Sequence, residues 1–309
     1  MWETKLTRIL NIALATGLAL AVALPAYVSH AEATQAETDD TKPKKQQKTA
    51  EEKEQAAQEK AARKKKRAAK QAATEAATSA GESLSPAATR ALEQIDRRLA
   101  AWNTADAKRM VGDLADVPAG RKALAQGRVA QQEQDWATAR TELQRAAAAL
   151  ADDPAPYVHL GETLLLAEDA SGARQAFSRA AELAQARLAP GAGDAEALYS
   201  LGVSQQRLQR YDEAWTTLSR ARQESPGNAM VVYQLGVTRA FQERWSEAIT
   251  LLDEAIALDS GIAYAYYYRG LSEGRAGRKD RLVNDLNRFL AMAPHSPDAA
   301  KARKILESV

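Results

Sequence analysis

Tyrosine and arginine are the residues whose crowding in this chain suggests chemistry. The stretch "GIAYAYYYRGLSEGRAG", residues 261–277, holds four of the nine tyrosines, Tyr264, Tyr266, Tyr267 and Tyr268, with Arg269 and Arg275 alongside. Phenol rings offer rigid contact area with a polar tip, and guanidinium groups offer paired hydrogen bonds to carboxylates. That is the chemistry of recognition. Groups for bond making are sparse. The absence of cysteine removes disulfides, thiolate ligands and thiol nucleophiles together. The three histidines are His30, His159 and His295, and the last two stand 136 residues apart with no companion motif. Carboxylate pairs such as Asp152–Asp153 and Asp253–Glu254 fall where loops and helix surfaces carry charge. No nucleophile–base–acid set, phosphate-cradling glycine loop or metal-ligand spacing is present. The expectation is therefore no enzymatic activity, no cofactor and no metal.

The surrounding chain divides by composition. Its 309 residues suffice for one large domain or two small ones with tails, and glycine plus proline number only 16 and 10, a helical balance. Residues 1–31 have the form of an export signal. Lys5 and Arg8 precede an apolar run from Ile9 to Leu24, and Ser29-His30-Ala31 closes with a small-x-small pattern suited to cleavage. An uncleaved anchor over residues 9–28 is the alternative, and either reading directs the remainder to the periplasm of a bacterial-type cell. Residues 32–85 carry 12 Lys/Arg against 10 Asp/Glu with no large apolar residue before Leu84. Such a segment cannot bury enough surface to offset its ordering entropy, and it reads as a charged, partly helical linker. Within it Lys60 to Lys70 holds seven basic residues and no acid. A solvated charge run is the plainer reading, and weak contact with an anionic membrane surface the functional one. Nucleic acid is not expected, because no aromatic residue interleaves to stack on bases.

After Ser85 large apolar residues return at helical spacing. Gly127, Gly161, Gly202, Gly236 and Gly270 are separated by 34, 41, 34 and 34 residues. Ala139, Ala173, Ala214 and Ala248 keep the same intervals, with Leu282 completing the ladder. So do Leu143, Phe177, Leu218, Leu252 and Leu286, and likewise Ala146, Ala180, Ala221 and Ala255, completed by Phe289. A 34-residue period in helical sequence marks an array of helix-turn-helix units.

These ladders resemble the tetratricopeptide repeat family. "AEALYSLGVSQQRLQRYDEAWTTLSRARQESP" supplies Leu198, Leu201-Gly202, Tyr211, Ala214, Leu218, Ala221 and Pro226 at the signature places. The following copies supply Leu235-Gly236, Trp245, Ala248, Leu252 and Ala255, then Tyr266, Gly270, Gly277, Leu286 and Pro294. The resemblance implies an all-α, right-handed α-solenoid of helix hairpins. Five repeats would occupy residues 120–296, preceded over 86–119 by a degenerate repeat or cap and followed over 297–309 by a capping helix. The 41-residue interval predicts a second helix longer by about a turn, then a loop near Pro190.

The resemblance also sorts the aromatic residues. Tyr157 and Tyr266 take the large-residue place and are expected in the core, while Trp136, Tyr211 and Trp245 open second helices. In this family the first helix of each hairpin lines the concave side. That places Tyr199, Arg207, Tyr233, Phe241, Tyr264, Tyr267 and Arg275 along an inner groove, with Tyr268 to the side. The alternative is that these rings merely pack between first helices of a narrow superhelix. An open stripe of this kind suits an extended peptide or amphipathic helix. The function implied is a non-catalytic protein-binding scaffold of the cell envelope, with a protein or peptide partner. A component of polysaccharide export machinery contacting glycan or membrane-complex subunits is the second reading.

Overall fold

A computed structural model describes residues 84–188 and 193–309. The export signal, nearly all of the charged linker with its basic run, and most of the loop near Pro190 lie outside the described residues. Those residues form thirteen helices and no strand. They are α1 (Pro86–Ala100), α2 (Thr104–Gly112), α3 (Ala119–Gln132), α4 (Trp136–Ala149), α5 (Ala155–Leu166), α6 (Ala170–Arg187) and α7 (Ala195–Arg207). They continue as α8 (Tyr211–Glu224), α9 (Ala229–Phe241), α10 (Trp245–Leu258), α11 (Ala263–Arg275), α12 (Lys279–Met292) and α13 (Ala299–Glu307). Successive pairs fold as hairpins, each stacked on the next, and the whole is an all-α helical-repeat solenoid. None of the described helices is long and apolar enough to cross a membrane.

Local chemistry sets the helix ends. The Ser85 hydroxyl accepts from the Ala88 amide at 3.1 Å, with Pro86 at the first helical position. Asp135, Asp169 and Asp194 accept from the amides of Thr138, Gly172 and Ala197 at 3.1, 2.8 and 3.0 Å. The turn inside each hairpin is also periodic. Gln134, Glu168, Gln209, Glu243 and Gly277 all adopt left-handed backbone, with φ between 58° and 81°. In each case the next residue's amide reaches back to the last turn of the first helix, as Asp135 N does to Ala130 O at 3.0 Å and Arg278 N to Glu273 O at 2.8 Å. Four of these five positions tolerate a conformation that favours glycine. Pro226 and Pro294 follow the ends of α8 and α12 and cannot continue their hydrogen-bond ladders. The 41-residue interval lengthens α6 to 18 residues, against 14 in α4, α8, α10 and α12.

Within a hairpin the glycine ladder meets the leucine ladder. A Cβ at Gly202 would stand 2.5 Å from Leu218 Cγ, and one at Gly236 would stand 2.7 Å from Leu252 Cγ. Leu218 and Leu252 are themselves fully buried, so neither has room to retreat. Arg269 stands where the signature has leucine. It makes paired contacts with Asp285 at 2.8 and 2.7 Å, reaches Asp253 at 2.6 Å, and lies over the Tyr266 ring.

The first helices also carry a ladder of small buried hydroxyls. Thr163, Ser204, Thr238 and Ser272 follow the same intervals and are buried. Each donates to the carbonyl four residues back, at 2.8–2.9 Å. The Thr238 hydroxyl also accepts from Gln206 Nε2 of α7 at 2.9 Å, a contact between adjoining first helices.

Candidate functional site

The inner face is built on α5, α7, α9 and α11. Near its middle Arg207 Nη2, at the end of α7, donates to Glu162 Oε1 of α5 at 3.0 Å, bridging two repeats. His159, one turn earlier on α5, places Nδ1 at 3.5 Å from the other Glu162 oxygen. The two charged side chains are only 18% and 24% exposed, so little solvent screens them. Burial alone would push the Glu162 carboxyl upward, but His159 and the Arg207 guanidinium prevail and hold it at about 2. Burial also works against the Arg207 charge, yet Glu162 raises its pKa.

Tyr268 is the hub of the aromatic part. Its ring centroid lies 6.2 Å from Tyr233, 6.0 Å from Phe241, 6.4 Å from Tyr264 and 5.4 Å from Tyr267. Its phenol is pushed up to about 12 by burial, with Arg207 partly opposing. Burial likewise raises Tyr199, Tyr233, Tyr264 and Tyr267. Tyr264 donates to Asp298 Oδ2, beside the start of α13, at 3.0 Å and packs edge-on to Phe289. Phe241 stacks on Tyr211 at 5.7 Å. Six of the seven residues expected along the groove thus fall into one connected cluster.

Its accessibility differs from the expectation. Tyr267 is 1% exposed and Tyr233 8%, so neither presents a ring to an open groove. Tyr268 is not lateral but central and buried. The physical reason is that these rings pack on one another and on Phe289 of α12, which covers them. Tyr199, Arg207, Phe241, Tyr264 and Arg275 remain half-buried. Arg275 belongs elsewhere, over the Trp245 ring at 5.5 Å, where burial lowers its pKa. Arg239, 3.4 Å above the Trp215 ring and paired with Glu247, repeats that device one hairpin earlier.

Glu162 is a functional-face residue that the sequence marks by its type and place. It follows the ladder glycine, where later repeats have Val203, Val237 and Leu271. A half-buried charge at that place needs a partner, and Arg207 supplies it. Among the described residues no group of three or more His, Asp or Glu is placed to hold a metal ion.

No protein-family model and no curated protein matches this chain. Several solved structures are similar to it. TTC0263, a thermophilic TPR protein of Thermus thermophilus, is 18% identical, with a TM-score of 0.48 over 62% of this chain and 98% of that one. YrrB, described as a TPR protein with an unusual peptide-binding site, is 18% identical, with a TM-score of 0.35 over 59% and 91%. MamA of Desulfovibrio magneticus RS-1 is 18% identical, with a TM-score of 0.36 over 58% and 97%. The 34-residue period, the recurring residues at their places in each hairpin and the stacking of those hairpins make the chain an all-α helical-repeat solenoid whose hairpins resemble those of tetratricopeptide repeats.

Proposed function

We propose that this protein is a non-catalytic scaffold of the bacterial cell envelope that holds a protein partner against the inner face of its array. The observation that carries the reading is the convergence of half-buried Tyr199, Arg207, Phe241 and Tyr264 from α7, α9 and α11 on one face. Tyr233, Tyr267 and Tyr268 act as the packed backing that fixes those side chains. Preorganised aromatic and ionic groups lose little freedom on binding, which favours affinity. The partner's chemistry follows from the exposed parts of these side chains. Arg207 is engaged by Glu162, so an apolar or aromatic side chain on an extended peptide or helix matches the phenols and the Phe241 ring. The form of residues 1–31 supports export, and the charged segment over 32–85 would let the array reach away from the membrane.

The test is crosslinking and capture from envelope extracts, with the full chain and with Tyr199→Ala combined with Phe241→Ala. The variant is expected to lose about tenfold in affinity for the captured protein, roughly 1.4 kcal/mol, while keeping its helix content. Undiminished capture would remove the inner face from consideration. Retention of glycan but no protein would favour the polysaccharide reading.

A further inference from the structure

We infer that the corner between α1 and α2 is a latch that closes the array on itself and covers one end of the inner cluster. Three contacts distant in sequence carry this. The Trp102 ring lies 5.9 Å from the ring of Tyr264, on α11. Gln134 Nε2 donates to the His295 carbonyl at 2.7 Å, across 161 residues. A Cβ at Gly261 would stand 3.8 Å from Ala101 Cβ. Ala101, Trp102 and Gln134 lie in turns within the first hairpins, whereas Gly261 and His295 lie in connections between the last ones. The array therefore winds until one edge of its beginning meets the opposite edge of its end.

Trp102 itself is held at φ 55°. A bulky residue stays in the left-handed region only where its surroundings hold it there. Here the ring's seat against Tyr264 is one such hold. Among the residues making the contact, Trp102 and Tyr264 are half-buried, and the Gln134 hydrogen bond is exposed. Neighbouring hairpins, by contrast, are joined through fully buried leucines such as Leu198, Leu235 and Leu271. The closing contact is thus the weakest joint in the ring and the one placed to open. Opening uncovers Tyr264 and the cluster behind it. The closure stands on its own contacts; only its use in admitting a partner rests on the function proposed above.

The chain has no cysteine, so an engineered pair reports the joint without interference. The separation between Ala101 and a Cβ at Gly261 matches the ~3.8 Å mean of disulfides. In the full-length protein, Ala101→Cys with Gly261→Cys is expected to crosslink within the monomer on mild oxidation. Adding Trp102→Ala and Gln134→Ala should slow that crosslinking about tenfold. Trp102→Phe, which keeps a ring on Tyr264, should restore most of the rate. Binding of the dye 8-anilinonaphthalene-1-sulfonate should rise in the Trp102→Ala, Gln134→Ala protein and fall again once the disulfide is formed in that background. If Trp102→Ala lowers helix content, Gln134→Ala alone makes the comparison, and a slower rate supports the latch. Failure to crosslink within the monomer, a rate indifferent to these substitutions, or unchanged dye binding would overturn it. None of these readouts depends on capture of a partner.

Discussion

Tyr267→Ala is expected to destabilise the array by about 3–5 kcal/mol, the range for removing a buried aromatic ring. Tyr267 is among the largest fully buried side chains, and its ring sits 4.9 Å from Phe289, 5.7 Å from Tyr264 and 5.4 Å from Tyr268. Truncation leaves a cavity among residues that are locked by one another. The effect should concentrate in the C-terminal hairpins, because a solenoid transmits damage mainly to its neighbours. Thermal unfolding followed by circular dichroism should show a loss on the order of 10 °C. Tyr267→Phe separates packing from polarity. The hydroxyl has no hydrogen-bond partner among the described residues. Its removal should therefore leave stability equal or slightly higher. An open-groove tyrosine would behave in the opposite way, losing capture on truncation while melting stayed unchanged.

Glu162→Gln is expected to lower stability at neutral pH by about 3 kcal/mol and to remove the acid dependence that Glu162 carries. The figure follows from the fall of the Glu162 carboxyl from 4.5 to about 2, each unit being worth about 1.36 kcal/mol. Its sign is set by linkage. The folded carboxyl holds its proton less tightly than the unfolded one, so the stabilisation is present above about pH 4.5 and is lost as pH falls towards 2. Denaturant unfolding of the parent and of Glu162→Gln should accordingly converge near the acid end and diverge above it. The neutral amide also leaves Arg207 without its counter-ion inside the array, a situation more damaging than deletion of both charges. Glu162→Gln with Arg207→Gln should therefore fall well short of the sum of the single changes.

The hairpins themselves were legible in the sequence because close packing permits few residue types. Only glycine fits opposite Leu218 and Leu252, and Trp136, Tyr211 and Trp245 open α4, α8 and α10 as their repeat places imply. The longer α6 was legible from one interval. The covering of the inner rings was not. It depends on contacts among rings from different helices, such as Tyr233 with Tyr268 and Tyr267 with Phe289. The groove expectation therefore erred for Tyr233 and Tyr267, which are buried, whereas Tyr199 and Phe241 are half-buried. Tyr268 was misplaced for the same reason: its neighbours Phe241 and Tyr233 come from the adjoining first helix. The joint between Gln134 and His295 leaves no local mark in the chain at all.

The most direct test of an inner face filled by its own tyrosines is a spectroscopic titration of tyrosinate in the native chain. Of the nine tyrosines, Tyr199, Tyr211, Tyr233, Tyr264, Tyr267 and Tyr268 are all raised by burial. Up to about pH 11 the folded protein should develop well under half of the tyrosinate signal of the unfolded chain, whose phenols titrate near 10. The remainder should appear together with loss of helix. Ionisation of all nine around pH 10, with helix content intact, would contradict the filled inner face.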